Sequence, residues 1–189
     1  MTLNLTNFKA QLVGGGARPN LFKVDLNFPA GVGIGNATAV VNQGQFMVKA
    51  ANLPASQLGV IEVPFRGRVL KVAGDRTFEP WTITVLNDTD FVIREAMEAW
   101  VRAINREQEN TGLQNPADYQ ADMVVTQLDR EGAEIAAYRF YGTFPTNVSA
   151  IDLAFDSNDT VEEFTVELQV QWWENEGKAK KKSSNRIRR

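Results

Sequence analysis

Apolar and polar side chains alternate through much of this chain, most clearly in the run VEEFTVELQVQWW at residues 161–173. A period of two places successive side chains on opposite faces of a β-strand, so a strand here has one buried and one solvated face. Phe164, Val166 and Leu168 belong to the apolar set, whereas Glu163 and Glu167 belong to the polar set. The pattern predicts a protein built mainly from strands.

The same alternation predicts further strands, at residues 8–13, 21–28, 45–51, 60–65, 68–73, 81–86, 123–129 and 135–142. Arg130-Glu131-Gly132 lies between the last two and indicates a hairpin turn. Pro64 cannot donate to a ladder, which favours a strand end or a sheet edge. Residues 29–44 are rich in glycine and show little amphipathic pattern, so we predict a flexible loop there.

One helix is indicated after the polar residues 87–90, which can cap its free N–H groups. Apolar residues then recur at helical spacing: Ile93, Met97, Trp100 and Ile104. Such a stripe is most simply the face that docks on a sheet, with a partner-binding or ligand-binding stripe as the alternative. We therefore expect a mainly β fold with one flanking α-helix.

The 189 residues include no cysteine and no histidine. Disulfides, thiolate nucleophiles and the usual zinc ligands and general base are thereby excluded, which disfavours an enzyme or a metal protein. We expect no cofactor. No apolar run approaches the roughly 20 residues that span a bilayer, and the first residues do not form a signal peptide, so we expect a cytosolic product without a membrane partner.

Glycine-rich segments give no convincing phosphate site. Gly31-Val32-Gly33-Ile34-Gly35 is superficially similar to a dinucleotide loop, but its spacing is wrong and no long helix is predicted after it. Gly14-Gly15-Gly16 lacks the Lys and Ser/Thr of a phosphate loop. A mobile loop is the simpler interpretation of the first segment.

Charge divides the chain into an acidic body, residues 1–176, and a basic tail, residues 177–189. The tail holds seven of the 20 Lys and Arg residues and no acid, which leaves 13 basic against 23 acidic residues in the body. Such a tail can bind a polyanion or simply be a solvated end. The acidic body is poorly suited to nucleic-acid binding, because that affinity is built largely from Lys and Arg.

Several segments together resemble one known family, the tail tube proteins of contractile-tailed bacteriophages. They are VPFRGRVLKVAGDRTFEPWTITVLNDTDFVIREAMEAW at 63–100, GGGARPNLFKV, QFMVKAANLP, YRFYGTFPTNVSAIDL at 138–153 and VEEFTVELQVQWWE at 161–174. They follow the family's order and cover most of residues 8–174. Residues 29–44 and the basic tail have no match.

The resemblance implies a β-sandwich or barrel-like tail tube fold. It further implies hexameric rings that stack into a hollow tube, with inner strands joined in one continuous β-barrel around a lumen. The implied partners are further copies of the chain, the tail sheath, baseplate and tail terminator proteins, and a tape-measure protein. Genomic DNA would pass through without specific binding, and the product would be a virion tail assembled in the host cytoplasm. The alternative is the inner tube of a contractile injection or type VI-like secretion system carrying protein cargo.

Two surfaces are then candidate sites. The hairpin at residues 60–73 and its charged connector are predicted to make ring-to-ring contacts, through Phe65, Arg66, Arg68, Asp75, Arg76 and Glu79. A local hairpin closed by its own salt bridges is the alternative. The polar face of the last strand is predicted to line the lumen, through Glu163, Glu167, Gln169 and Gln171, although an exposed strand face is often polar anyway.

Overall fold

The computed structural model describes residues 4–12, 16–34 and 37–177. Within those ranges the helices are α1 (Leu5–Gln11), α2 (Ala37–Met47), α3 (Val92–Ile104) and α4 (Pro116–Tyr119), with a 3-10 turn at Ala30–Val32. The strands are β1 (Phe22–Asp25), β2 (Val48–Ala51), β3 (Gln57–Phe65), β4 (Arg68–Thr77), β5 (Trp81–Leu86), β6 (Ala121–Leu128), β7 (Glu134–Val148), β8 (Glu163–Gln169) and β9 (Trp172–Gly177).

A seven-stranded antiparallel sheet forms the body, in the order β1-β6-β7-β8-β5-β2, with β9 also paired to β7. Strand β7 joins its two halves, because its first part pairs with β6 and β9 and its last part with β8. The edge strands β1 and β2 approach within 8 Å at their Cα atoms. The sheet is therefore strongly curved, which confirms the mainly β, barrel-like prediction.

The last predicted strand is two strands instead of one. Strand β8 ends at Gln169 and β9 begins at Trp172, where the main chain of Gln171 donates to the Tyr141 carbonyl at 3.1 Å. Gly142 lies at the same corner with a φ of 60°, and a Cβ there would come within 2.7 Å of the Gln171 side chain. The prediction of a continuous strand over 161–173 was wrong because the partner strand turns this corner.

The core lies between the two halves of the sheet and the helices. Trp81 of β5 stacks on Phe140 of β7 with ring centroids 4.3 Å apart. Trp100 of α3 is fully buried, contacts Phe28 edge-on and donates its indole N–H to the Tyr119 carbonyl at 2.7 Å. Burial of such side chains supplies the main stabilisation of the body.

Helix α3 occupies the predicted position. Asp88 accepts a hydrogen bond from the Val92 N–H at 3.2 Å, as the polar start of the helix suggested. Ile93, Met97 and Trp100 are buried, and Ile104 is partly buried against the same core. This apolar stripe faces the core.

The prediction of one flanking helix was incomplete, because α2 occupies much of the predicted loop at 29–44. Val40 and Gly44 lie one helical turn apart and are both buried. A Cβ on Gly44 would lie 3.0 Å from the Leu26 side chain, so the glycine permits a close approach of helix and body. Helix α2 is therefore held by packing, and it also replaces the start of the strand predicted at 45–51.

The strand predicted at residues 8–13 was also wrong, since residues 5–11 form α1. Asn4 caps this helix by accepting the Asn7 N–H at 2.8 Å. Capping and the helical spacing of Leu5, Phe8 and Leu12 agree with a helix, although all three side chains are exposed. Val13 lies outside the described residues, as do residues 178–189 of the basic tail.

None of the helices in the described ranges is long and apolar enough to cross a bilayer. Likewise, among the side chains described there, no group of three or more acids is placed to hold a metal ion.

Candidate assembly surface

Strands β3 and β4 form a hairpin that is a separate two-stranded sheet. Every residue of β3 is exposed, as are all those of β4 except the partly exposed Gly74. The turn is Arg66-Gly67, and both residues have positive φ, 44° and 81°. Two positive φ values make the tight turn that matches the twist of paired strands. The hairpin is a well-formed element whose side chains lie outside the core.

One face of the hairpin is almost entirely apolar. Cross-strand partners in an antiparallel pair share a face, and the observed pairs are Ile61 with Val72, Val63 with Leu70 and Phe65 with Arg68. The five apolar members of this set, the hairpin's apolar face, are 44–67% exposed. Arg68 is the single charge among them.

The opposite face is mixed. Glu62 pairs with Lys71 across the strands, and their charged atoms lie 3.7 Å apart. Val60, Pro64 and Val69 flank this ion pair. Both of its side chains are well exposed, so it stabilises the hairpin only weakly. The alternative of a hairpin closed by its own salt bridges accounts for this face but leaves the apolar face uncovered.

The base of the hairpin is attached to the body. Phe78, just after β4, packs edge-on against Trp173 of β9 at 6.3 Å between ring centroids. Trp81 donates its indole N–H to the Asn52 carbonyl at 2.9 Å, which joins the chain entering the hairpin to the chain leaving it. The hairpin thus projects from one fixed end of the sheet.

Five of the six predicted contact residues lie on this hairpin and Glu79 follows it by two residues, and the six form two groups. Phe65, Arg66 and Arg68 are together at the tip, where the Arg66 guanidinium lies 5.6 Å from the Phe65 ring centre. Asp75, Arg76 and Glu79 are at the base, and Glu79 accepts a hydrogen bond from Gln57. The two groups are about 25 Å apart, given the rise of an extended strand.

The charged connector is shorter than the sequence suggested. Asp75 and Arg76 lie inside β4, which extends to Thr77, and Arg76 pairs with Leu58 beyond a bulge. The prediction placed the strand end at Ala73, and it was wrong because the bulge allows pairing to resume. Sequence reasoning also missed the apolar face, although the alternation in residues 60–73 carried the signal.

The four predicted lumen residues lie at or beyond the polar side of β8. Glu167 and Gln169 project opposite the buried Val166 and Leu168 and are partly exposed. Glu163 is exposed at the strand start and forms an ion pair with Lys49. Gln171 lies at the corner between β8 and β9, away from the regular alternation.

Strand β9 is fixed to β7 by two polar contacts. Arg139 is paired with Glu176, and the Tyr141 hydroxyl donates to Glu174. The hydrogen bond to Glu174, together with desolvation and the Glu174 charge, raises the pKa of Tyr141. The hydrogen bond to Glu176 raises the pKa of Arg139, so both groups remain protonated across the neutral range.

A family model described as phage tail tube protein matches residues 17–176 of the chain. The tail tube protein gp19 of Enterobacteria phage T4 is 35% identical over 160 residues, covering 84% of this chain and 91% of that protein. The tail tube protein of Serratia phage KSP90 is 31% identical over 156 residues, covering 82% of this chain and 86% of that protein.

Solved structures with the same fold come from contractile injection particles. A chain in the anti-feeding prophage baseplate has a TM-score of 0.60 at 14% identity, covering 87% of this chain and 98% of its own length. A chain in an extended sheath–tube complex of an extracellular contractile injection system has a TM-score of 0.58 at 13% identity, with 93% and 99% covered. At these identities the likeness concerns the fold.

Proposed function

The chain belongs to the phage tail tube protein family, and we propose that its copies form hexameric rings that stack into the hollow tube of a contractile tail. The observation that carries the stacking is the hairpin's apolar face, which the isolated subunit leaves exposed. An isolated two-stranded hairpin is marginal in water, and a contiguous apolar surface of this kind marks an interface. A neighbouring copy supplies the cover.

The apolar face of the hairpin has the composition of an obligate interface. Ile61, Val63, Leu70 and Val72 provide the area, and Phe65 with the two arginines at the tip provides the anchoring side chains. Aromatic and arginine residues carry much of the binding energy in such contacts. The hairpin is therefore the proposed ring-to-ring contact.

Strands of the body that are paired on one side only suit the formation of a ring. Strands β1 and β2 end the order of the large sheet, and β9 pairs with β7 alone. Pairing between such edges in neighbouring subunits would continue the sheet around the ring and remove the edges that otherwise promote aggregation. In that arrangement the polar side of β8, with Glu163, Glu167, Gln169 and Gln171, faces the lumen.

An acidic and amide-lined lumen would let a polyanion pass without adhesion, because DNA affinity depends on cationic contacts. We accordingly propose a structural role without catalysis, in which genomic DNA is delivered through the tube. The proposed partners are the tail sheath, baseplate, tail terminator and tape-measure proteins, and the tube is assembled in the host cytoplasm. The phage relatives favour this role over an injection tube with protein cargo.

Charge reversal at the hairpin tip tests the assembly role. The double variant Arg66→Glu/Arg68→Glu should fold normally, because both side chains are exposed, but it should not elongate into tubes. Circular dichroism checks the fold, and sedimentation with negative-stain microscopy checks assembly. Arg18→Glu/Arg130→Glu, which makes the same charge change at two other exposed positions, serves as the control. Normal tubes from the tip variant would contradict the proposal.

A further inference from the structure

A second exposed apolar surface lies in the segment between β7 and β8. Leu153, Phe155 and Val161 are highly exposed there, Leu153 to 85%. Together with Ile151 and the start of β8 they surround an open concavity of about 700 Å³. The concavity within the segment 150–163 is lined by residues 150–155, 157 and 160–163, and it has room for an aromatic side chain.

The same segment is strongly acidic. Residues 150–163 contain Asp152, Asp156, Asp159, Glu162 and Glu163 and no basic residue; of these acids, Glu163 is already paired with Lys49. The tip of the hairpin has the complementary character, since Phe65 is flanked by Arg66 and Arg68 with no acid among residues 63–74. An aromatic side chain between two arginines matches an apolar pocket with an acidic rim in both shape and charge.

Strand β5 places these two surfaces at opposite ends of the body. The hairpin returns to the sheet at Trp81, which pairs with Leu168, whereas Leu86 at the other end pairs with Glu163, where the acidic segment ends. The two pairs are separated by the length of β5, about 17 Å. A subunit cannot fill its own concavity with its own hairpin tip in this arrangement, but the next copy along an axis can.

The ends of the acidic segment are fixed on the body. Asn87 is nearly buried, donates its side-chain amide to the Glu162 carboxylate at 2.9 Å and its main-chain N–H to the Glu162 carbonyl at 2.8 Å. At the other end Ser149 and Thr165 exchange two hydrogen bonds, at 2.8 and 2.9 Å. The concavity is thus anchored at both ends.

We infer that the concavity at residues 150–163 is the receptor for the hairpin tip of the copy in the next ring. This inference rests on the proposed self-stacking and adds its partner surface and its direction. A tip at one end and a receptor at the other make a head-to-tail contact, which repeats without closing and gives every ring the same polarity. The acids on the rim hold the two arginines while Phe65 enters the apolar centre.

Because the chain has no cysteine, an engineered disulfide can identify the contact without background. Phe65→Cys copies and Leu153→Cys copies are mixed at equal concentration, assembled and oxidised, and covalent dimers are counted on a non-reducing gel. Both positions are exposed, so neither substitution disturbs the core. Phe8→Cys mixed with Leu153→Cys is the matched control, since Phe8 is an exposed aromatic residue of nearly equal accessibility on α1.

Dimers from the Phe65→Cys mixture and not from the control are the expected result. Dimers from the control alone would show that α1 occupies the concavity and would overturn the inference. Tubes without dimers in the Phe65→Cys mixture would overturn it as well while leaving the proposed function intact. Failure of the wild-type chain to form any tube, at any concentration, would overturn both.

Charge reversal tests the contact between the hairpin tip and the concavity independently. Asp152→Lys, at an acid that lines the concavity, should raise the critical concentration for tube formation about 10-fold, because a like charge then faces the arginines of the tip. Adding Arg66→Glu/Arg68→Glu to that chain restores opposite charges and should restore assembly. Rescue supports the contact. Full assembly by the concavity variant alone would contradict it.

Discussion

The two faces of the hairpin should respond differently to the same substitution. Val63→Thr/Val72→Thr alters the apolar face, and Val60→Thr/Val69→Thr alters the face that carries the Glu62–Lys71 ion pair. Threonine keeps the shape and the strand preference of valine but replaces a methyl group by a hydroxyl. The substitution therefore tests mainly whether the side chain becomes buried against an apolar surface on assembly.

The expected magnitude follows from the exposed fractions. Val63 and Val72 are 44% and 45% exposed, so a neighbouring copy can bury about half of each side chain. Placing a hydroxyl in an apolar contact costs about 1–2 kcal/mol, which gives roughly 0.5–1 kcal/mol per site and 1–2 kcal/mol for the pair. The critical concentration for assembly should rise roughly 5- to 30-fold.

The double variant on the opposite face tests whether assembly depends on the apolar face in particular or on any exposed valine of the hairpin. Val60 and Val69 are more exposed in the subunit, 61% and 54%, yet their double variant should leave assembly unchanged. For both double variants the free energy of unfolding should stay within about 0.5 kcal/mol of the wild-type value per substituted position, because the positions lie at the surface. Concentration-dependent light scattering measures assembly, and urea denaturation measures stability. Equal shifts for the two pairs would refute the assignment of the apolar face as the contact.

Three predictions concern the subunit itself. Trp100→Phe removes an indole N–H that donates to the part-buried Tyr119 carbonyl at 2.7 Å, so we expect a loss of about 1–3 kcal/mol in urea denaturation followed by circular dichroism; no loss would contradict this. Gly112→Ala places a Cβ 2.1 Å from the Ile104 carbonyl oxygen and should cost about 1–3 kcal/mol or more in thermal unfolding, whereas an unchanged midpoint would show that the loop yields freely. Hydrogen bonding to Glu174 raises the pKa of Tyr141 above its ordinary value of 10.0. The stabilisation that this hydrogen bond contributes is therefore present below pH 10.0 and is lost as the pH rises through the raised pKa. Tyr141→Phe should remove that part of the alkaline dependence of the free energy of unfolding, and an unchanged dependence on pH would refute the assignment.

Local alternation was sufficient to predict most of the sheet. The strands around Trp81 and Phe140 combine a period of two with buried large side chains, so local pattern and tertiary packing agree. The helix from Val92 to Ile104 was equally clear, because its apolar residues repeat at helical spacing after a capping segment. The segments that resemble the tail tube proteins include these same regions.

The errors occurred where tertiary contacts override local pattern. Helix α2 is glycine-containing and weakly patterned, but Gly44 is needed against Leu26, a contact that no local rule reveals. The break between β8 and β9 is set by the bend at Gly142, about 30 residues earlier in the chain, and the sequence of the last strand gives no sign of it. The acidic concavity was missed because its significance depends on the hairpin at the opposite end of β5.

Electron cryo-microscopy of the concentrated protein can show directly whether the hairpin joins successive rings. We expect hollow tubes of stacked rings in which the hairpin Gln57–Thr77 of each subunit lies between rings, with its tip on residues 150–163 of the next copy. Single 21.0 kDa chains at every concentration would contradict self-assembly. Tubes in which the hairpin is free in solvent would contradict its role as the ring-to-ring contact.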